Sequence, residues 1–88
     1  MHYSGILVAT TPAATARVAE AVDALPALEV HYAYPDLGRL VIVQETEHLE
    51  AQEQGLRLIQ QLPDVLYAEL VYHRFDDESA APDQQEDS

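Results

Sequence analysis

Val65-Leu66-Tyr67-Ala68-Glu69-Leu70-Val71-Tyr72-His73-Arg74-Phe75 is the longest run of strand-forming residues in the chain, and its side chains alternate one by one between two faces. Leu66, Ala68, Leu70 and Tyr72 fall on one side, Tyr67, Glu69, Val71, His73 and Phe75 on the other. The first side reads as core and the second is mixed. That contrast predicts a sheet covered by helices on one side only, with an exposed face able to hold a partner.

Upstream, the same alternation of elements occurs twice. Residues 2–10, with Ile6-Leu7-Val8-Ala9 inside them, read as a strand, and Thr11-Pro12 as the start of a helix, because proline has no amide hydrogen to leave unsatisfied there. Ala14, Val18, Ala21, Val22 and Leu25 then recur at helical spacing until Pro26. Residues 28–34 set Leu28, Val30, Tyr32 and Tyr34 against Glu29, His31 and Ala33, as in a half-buried strand. Pro35-Asp36-Leu37-Gly38 supplies turn chemistry, and residues 39–45, apolar on both faces, read as a central strand hairpinned to it. Thr46 can cap a second helix, with Glu47 and Glu50 near its positive end and Leu49, Leu56, Ile59 and Leu62 as its core stripe, up to Pro63. Gly55 inside that helix points to a close neighbour or to a tolerated cost of about 1 kcal/mol.

Leu25-Pro26 before one strand is echoed by Leu62-Pro63 before another, so the chain reads as two βαβ-like halves. The order βαββαβ is the split βαβ arrangement of an α+β, ferredoxin-like sandwich, in which right-handed crossovers put both helices on one face of a four-stranded antiparallel sheet. Residues 1–75 are expected to form this domain. Residues 76–88 contain six acids, no base and no large apolar side chain, and are expected to be a disordered acidic tail.

Sixteen acidic residues stand against four basic ones, all arginine, giving a formal net charge of −12. Such a chain repels phosphate backbones and anionic lipid and attracts basic peptides, so neither nucleic acid nor a membrane is expected as a partner. The absence of cysteine removes disulfides, thiolate nucleophiles and thiolate metal sites. With no secretory leader pattern and no long apolar segment, a cytoplasmic protein is expected.

Catalysis has few parts to use. There is no lysine, and of the serines only Ser4 lies ahead of the tail; the three glycines form no phosphate-cradling loop. The first strand is not followed by the arginine-bearing phosphate loop of acylphosphatases, small enzymes of this fold. His2, His31, His48 and His73 fall in four separate elements without ligand spacing. No enzyme activity, metal or cofactor is expected.

Met1-His2, the strand Gly38-Arg-Leu-Val-Ile-Val-Gln-Glu45 and the closing Val65-Leu-Tyr-Ala-Glu-Leu-Val-Tyr-His73 together resemble the NapD family, with Leu70-Val71-Tyr72-His73 the most specific piece and a more aromatic second strand, residues 30–34, the main departure. The resemblance implies a cytoplasmic, non-enzymatic, monomeric chaperone of ferredoxin-like fold. It implies binding to the twin-arginine signal peptide of NapA, the catalytic subunit of periplasmic nitrate reductase, restraining export until cofactor insertion is complete. On the open face, Ile6, Val8, Val41, Val43, Tyr67 and Val71 are expected to contact the apolar part of the peptide, and Glu45 and Glu69 its arginines. A small-molecule-sensing regulatory module of the same fold is the alternative.

Overall fold

The computed structural model describes residues 1–75. The expected tail, residues 76–88, lies outside the described residues. The elements run β1 (His2–Thr10), a 3-10 turn (Pro12–Ala14), α1 (Thr15–Asp23), β2 (Leu28–Tyr34), β3 (Arg39–Thr46), α2 (Leu49–Gln60) and β4 (Val65–Phe75). The strands pair antiparallel in the order β2-β3-β1-β4, so β1 and β3 are central and β2 and β4 are edges. This is the ferredoxin-like sandwich. The echo between the halves is visible in the backbone, because Ala27 and Asp64, each following its Leu-Pro pair, both take a left-handed φ, 67° and 73°.

The helix starts differ from expectation. Thr11 precedes Pro12 but makes no capping bond with its side chain; the Thr10 and Thr15 hydroxyls instead lie 3.0 Å apart, with the Thr11 carbonyl oxygen within 2.8 and 3.2 Å of them as an acceptor for the two protons the three contacts share. Thr46 does not cap α2 either, since β3 runs through it and His48 occupies the cap position. The helix begins later, and Leu49 is consequently left exposed while Gln52, Gly55 and Ile59 are buried.

Both helices pack on one side of the sheet. Val18 and Val22 of α1 and Ile59 of α2 meet Ile6 and Val8 of β1, Leu40 and Ile42 of β3, Leu28 of β2 and Ala68 of β4 in one apolar core. At the other end of the same interface the sheet presents Ser4, Gln44 and Thr46 to α2, which answers with Gln52, all of them buried. The Gln44 amide fills the space above Gly55, where a Cβ would collide with it, and donates to the Ala51 carbonyl at 3.5 Å. A close neighbour, not tolerance, is therefore the reason for Gly55, and the neighbour is a side chain.

The β2–β3 hairpin turns at Gly38, whose φ is +67° and whose carbonyl accepts a 2.7 Å bond from the Thr10 amide. A Cβ at this position would strike the Thr10 carbonyl oxygen. Gly38→Ala is expected to lower unfolding free energy by roughly 2–3 kcal/mol, adding backbone strain to a steric clash; urea denaturation of the two proteins checks it.

Candidate functional site, the uncovered sheet face

The face of the sheet away from the helices is set by strand register. β1 contributes Tyr3, Gly5, Leu7 and Ala9, opposite Glu45, Val43, Val41 and Arg39 of β3 on one side and Arg74, Tyr72, Glu69 and Tyr67 of β4 on the other. Beyond β3, Glu29, Tyr32 and Tyr34 of β2 lie opposite Val43, Val41 and Arg39. Leu7, Val41 and Val43 form a half-buried apolar centre, and all five tyrosines of the chain surround it.

Irregularities in pairing produce this arrangement. Register shifts leave an extra residue at His31 in β2 and at Leu66 and Val71 in β4. At each, the residue after the extra one returns to the open face instead of passing to the covered one, so two neighbours share that side. Simple alternation puts Tyr32, Tyr34 and Tyr72 with the core; the bulges turn them outward. Tyr72 can lie flat there because its ring occupies the space above Gly5, where a Cβ would collide with it. The bulge at Leu66 also turns Val65 inward against the core and leaves Leu66 64% exposed. His73, past the last bulge, pairs with Ser4 and so faces the helix side.

Of the residues expected on the open face, Val41, Val43, Glu45, Tyr67, Glu69 and Val71 are there. Ile6 and Val8 are not: both are fully buried under the helices, and Leu7 takes their place. The expectation failed because Ser4 and Thr10, flanking them at the same parity, are polar residues that this fold buries. Glu29, Leu7, Tyr3, Tyr32, Tyr34 and Tyr72 were missed. The parity of Tyr3 and Leu7 is a signal available in the sequence once Ile6 is assigned to the core, whereas nothing local announces the bulges.

Charge is unevenly spread over the face. Glu29 and Glu45 line a shallow depression of about 260 Å³ together with Ala27, Leu28 and Val43. Glu69 stands separately beside Leu7. Arg39 directs its guanidinium to the Leu37 and Gly38 carbonyls at 3.0 and 3.2 Å, and Arg74 lies over the Tyr3 ring, 5.1 Å from its centroid.

On the covered side, the fold brings together two histidines that the sequence keeps far apart. His2 Nδ1 lies 2.9 Å from His73 Nε2, with the rings stacked. Among the described residues no group of three or more potential ligands could hold a metal ion. The pKa of His2 is lowered, first by partial burial, then by the neighbouring His73, the N-terminal amine and His48. A group that binds its proton less readily when folded leaves stability unchanged well above pH 6.5 and reduces it as pH falls below that value, because the unfolded chain then takes up the proton first. Thermal melts from pH 7.5 to about 5 are expected to show this decline, and His73→Gln to reduce it.

A four-stranded antiparallel sheet covered by two helices on one face defines an α+β domain of ferredoxin-like fold. Within that class, the chain belongs to the NapD family, whose sequence model matches residues 1–77. Among solved structures it is similar to the E. coli Tat proofreading chaperone NapD in solution, with a TM-score of 0.77 and 22% identity over 91% of this chain and 83% of that one. A hypothetical protein from Pyrococcus horikoshii shares the fold at a TM-score of 0.73 and 21% identity, covering 89% of this chain and 94% of that one. Among curated protein sequences none matches. No helix of the described residues is long and apolar enough to cross a membrane.

Proposed function

We propose that this chain is a chaperone that binds the twin-arginine signal peptide of NapA, the catalytic subunit of periplasmic nitrate reductase, on its uncovered sheet face and so restrains export until the enzyme has received its cofactor. The family match over residues 1–77 carries this reading. The face supplies a physical basis for it. A twin-arginine peptide is cationic at one end and apolar along its middle; Leu7, Val41 and Val43 with the surrounding tyrosines offer apolar area, Glu29 and Glu45 offer charge to guanidinium groups, and Glu69 adds to the negative charge of the face. The family match likewise supports reading the protein as a binding protein rather than an enzyme. In this reading the protein acts in the cytoplasm, as a monomer, where the precursor awaits its cofactor.

Isothermal titration of the full chain with a synthetic NapA signal peptide tests the proposal. Saturable binding of one peptide per chain is expected, and it should weaken when both arginines are replaced by glutamine. Absence of binding overturns the proposal.

A further inference from the structure

We infer that the bound peptide crosses the sheet face with one fixed polarity, its arginines over the corner of β2 and β3 that carries Glu29 and Glu45, and its apolar stretch leading diagonally over Val43, Val41 and Leu7 to Tyr67 on β4. This rests on reading the face as the signal-peptide site.

The argument is one of charge placement. Glu29 is paired with Val43, and Glu45 is two residues further along β3 on the same face, so the two carboxylates are diagonal neighbours with backbones roughly 7–8 Å apart. They flank the depression on this face, and two guanidinium groups from adjacent residues can reach both. Glu69 belongs to a different place. From the register, its Cα lies two strand spacings from Glu45 and four residues along, roughly 16 Å away. A lone carboxylate beside Leu7 cannot share a pair of arginines with that corner.

The cations of the face settle the direction. Arg74 lies across β1 from Glu45, at the β4 end of the same row, and Arg39 pairs with Tyr34 near the far end of β2. Arginine side chains therefore occupy one diagonal of the face. The other diagonal runs from Glu29 and Glu45 to Tyr67, and no arginine side chain belongs to its path. A peptide with a basic end is repelled from both Arg corners and accepted at the acidic one, which leaves its apolar part only the route toward Tyr67. That diagonal spans roughly 22 Å, the length of about seven extended residues or fifteen helical ones. It therefore accommodates an apolar segment in either conformation.

Paramagnetic broadening decides the polarity. A signal peptide carrying a nitroxide beside its arginines is titrated into the isotope-labelled full chain, followed by the same peptide labelled beyond its apolar stretch. The first is expected to broaden amides at 27–29 and 43–45, the second those at 7–9 and 67–69. The reverse pattern overturns the polarity while leaving the face as the binding site; broadening confined to α1 and α2 overturns both the polarity and the face. Absence of binding removes the underlying reading as well. An independent measurement uses exposed carboxylates whose removal does not touch the core. The Glu29→Gln/Glu45→Gln variant is expected to lose roughly tenfold in affinity and much of its salt dependence, and Glu69→Gln less than about twofold. Equal losses in the two variants would overturn the assignment.

Discussion

Ile6→Ala is expected to lower the unfolding free energy by about 2–5 kcal/mol in denaturant titration, with the transition moving to lower urea concentration at an unchanged slope. Ile6 has no solvent exposure and sits between Ile42, opposite it on β3, and Leu70 on β4, at the point where both helices close on the sheet. Truncation loses the transfer energy of the missing groups and leaves a cavity that two central strands cannot collapse to fill. For a chain of this size the loss is a large share of total stability. Peptide affinity of the folded fraction should nevertheless remain, because the side chain faces away from the open surface. A variant that stays fully stable while losing affinity would place Ile6 on the binding face after all.

Val41→Arg/Val43→Arg has the opposite profile. Both valines are half-buried on the uncovered face, between Leu7 and Gly5 on β1 and Tyr32 and Glu29 on β2. Arginine stems can lie along this surface with their charged ends in water, so stability is expected to change by no more than about 1 kcal/mol. Binding should fall by at least about 100-fold, because the substitution removes the apolar centre and places two cations where a cationic peptide must approach. Circular dichroism and isothermal titration on the same sample separate the two effects. Retained affinity in a folded double variant would exclude this face as the site.

The sequence made the order of elements legible because its punctuation is strong: Pro12, Pro26, Gly38 and Pro63 each mark a boundary that the structure keeps. Val41 and Val43 were legible as open-face residues because alternation is undisturbed along β3, and Tyr67 and Glu69 because residues 67–70 alternate regularly between the two bulges of β4. Alternation does not survive an inserted residue, however, and a β-bulge is decided by packing across strands, not by the identity of His31, Leu66 or Val71. Tyr32, Tyr34 and Tyr72 were therefore assigned to the wrong face. Ile6 and Val8 failed for another reason: in the apolar run 6–9 neither face is marked, and the polar neighbours that would mark it are buried. A fold that hides Ser4, Thr10 and Gln44 while exposing Tyr32 and Tyr72 inverts the usual cue.

A sheet that keeps one face bare also keeps two unpaired edges, and β2 and β4 are long enough to recruit a strand from another copy. Each contains at least one bulge, and β4 contains two. A regular ladder needs evenly spaced amides and carbonyls along its outer rim, and every inserted residue throws that spacing out of step and increases the local twist. The irregularities that aim the tyrosines at a ligand thus also spoil the edges as templates for fibre growth. Removing the extra residue at His31, Leu66 or Val71 would straighten an edge while leaving the tyrosine beside it opposite its present partner on the open face, so that aggregation rises with recognition kept.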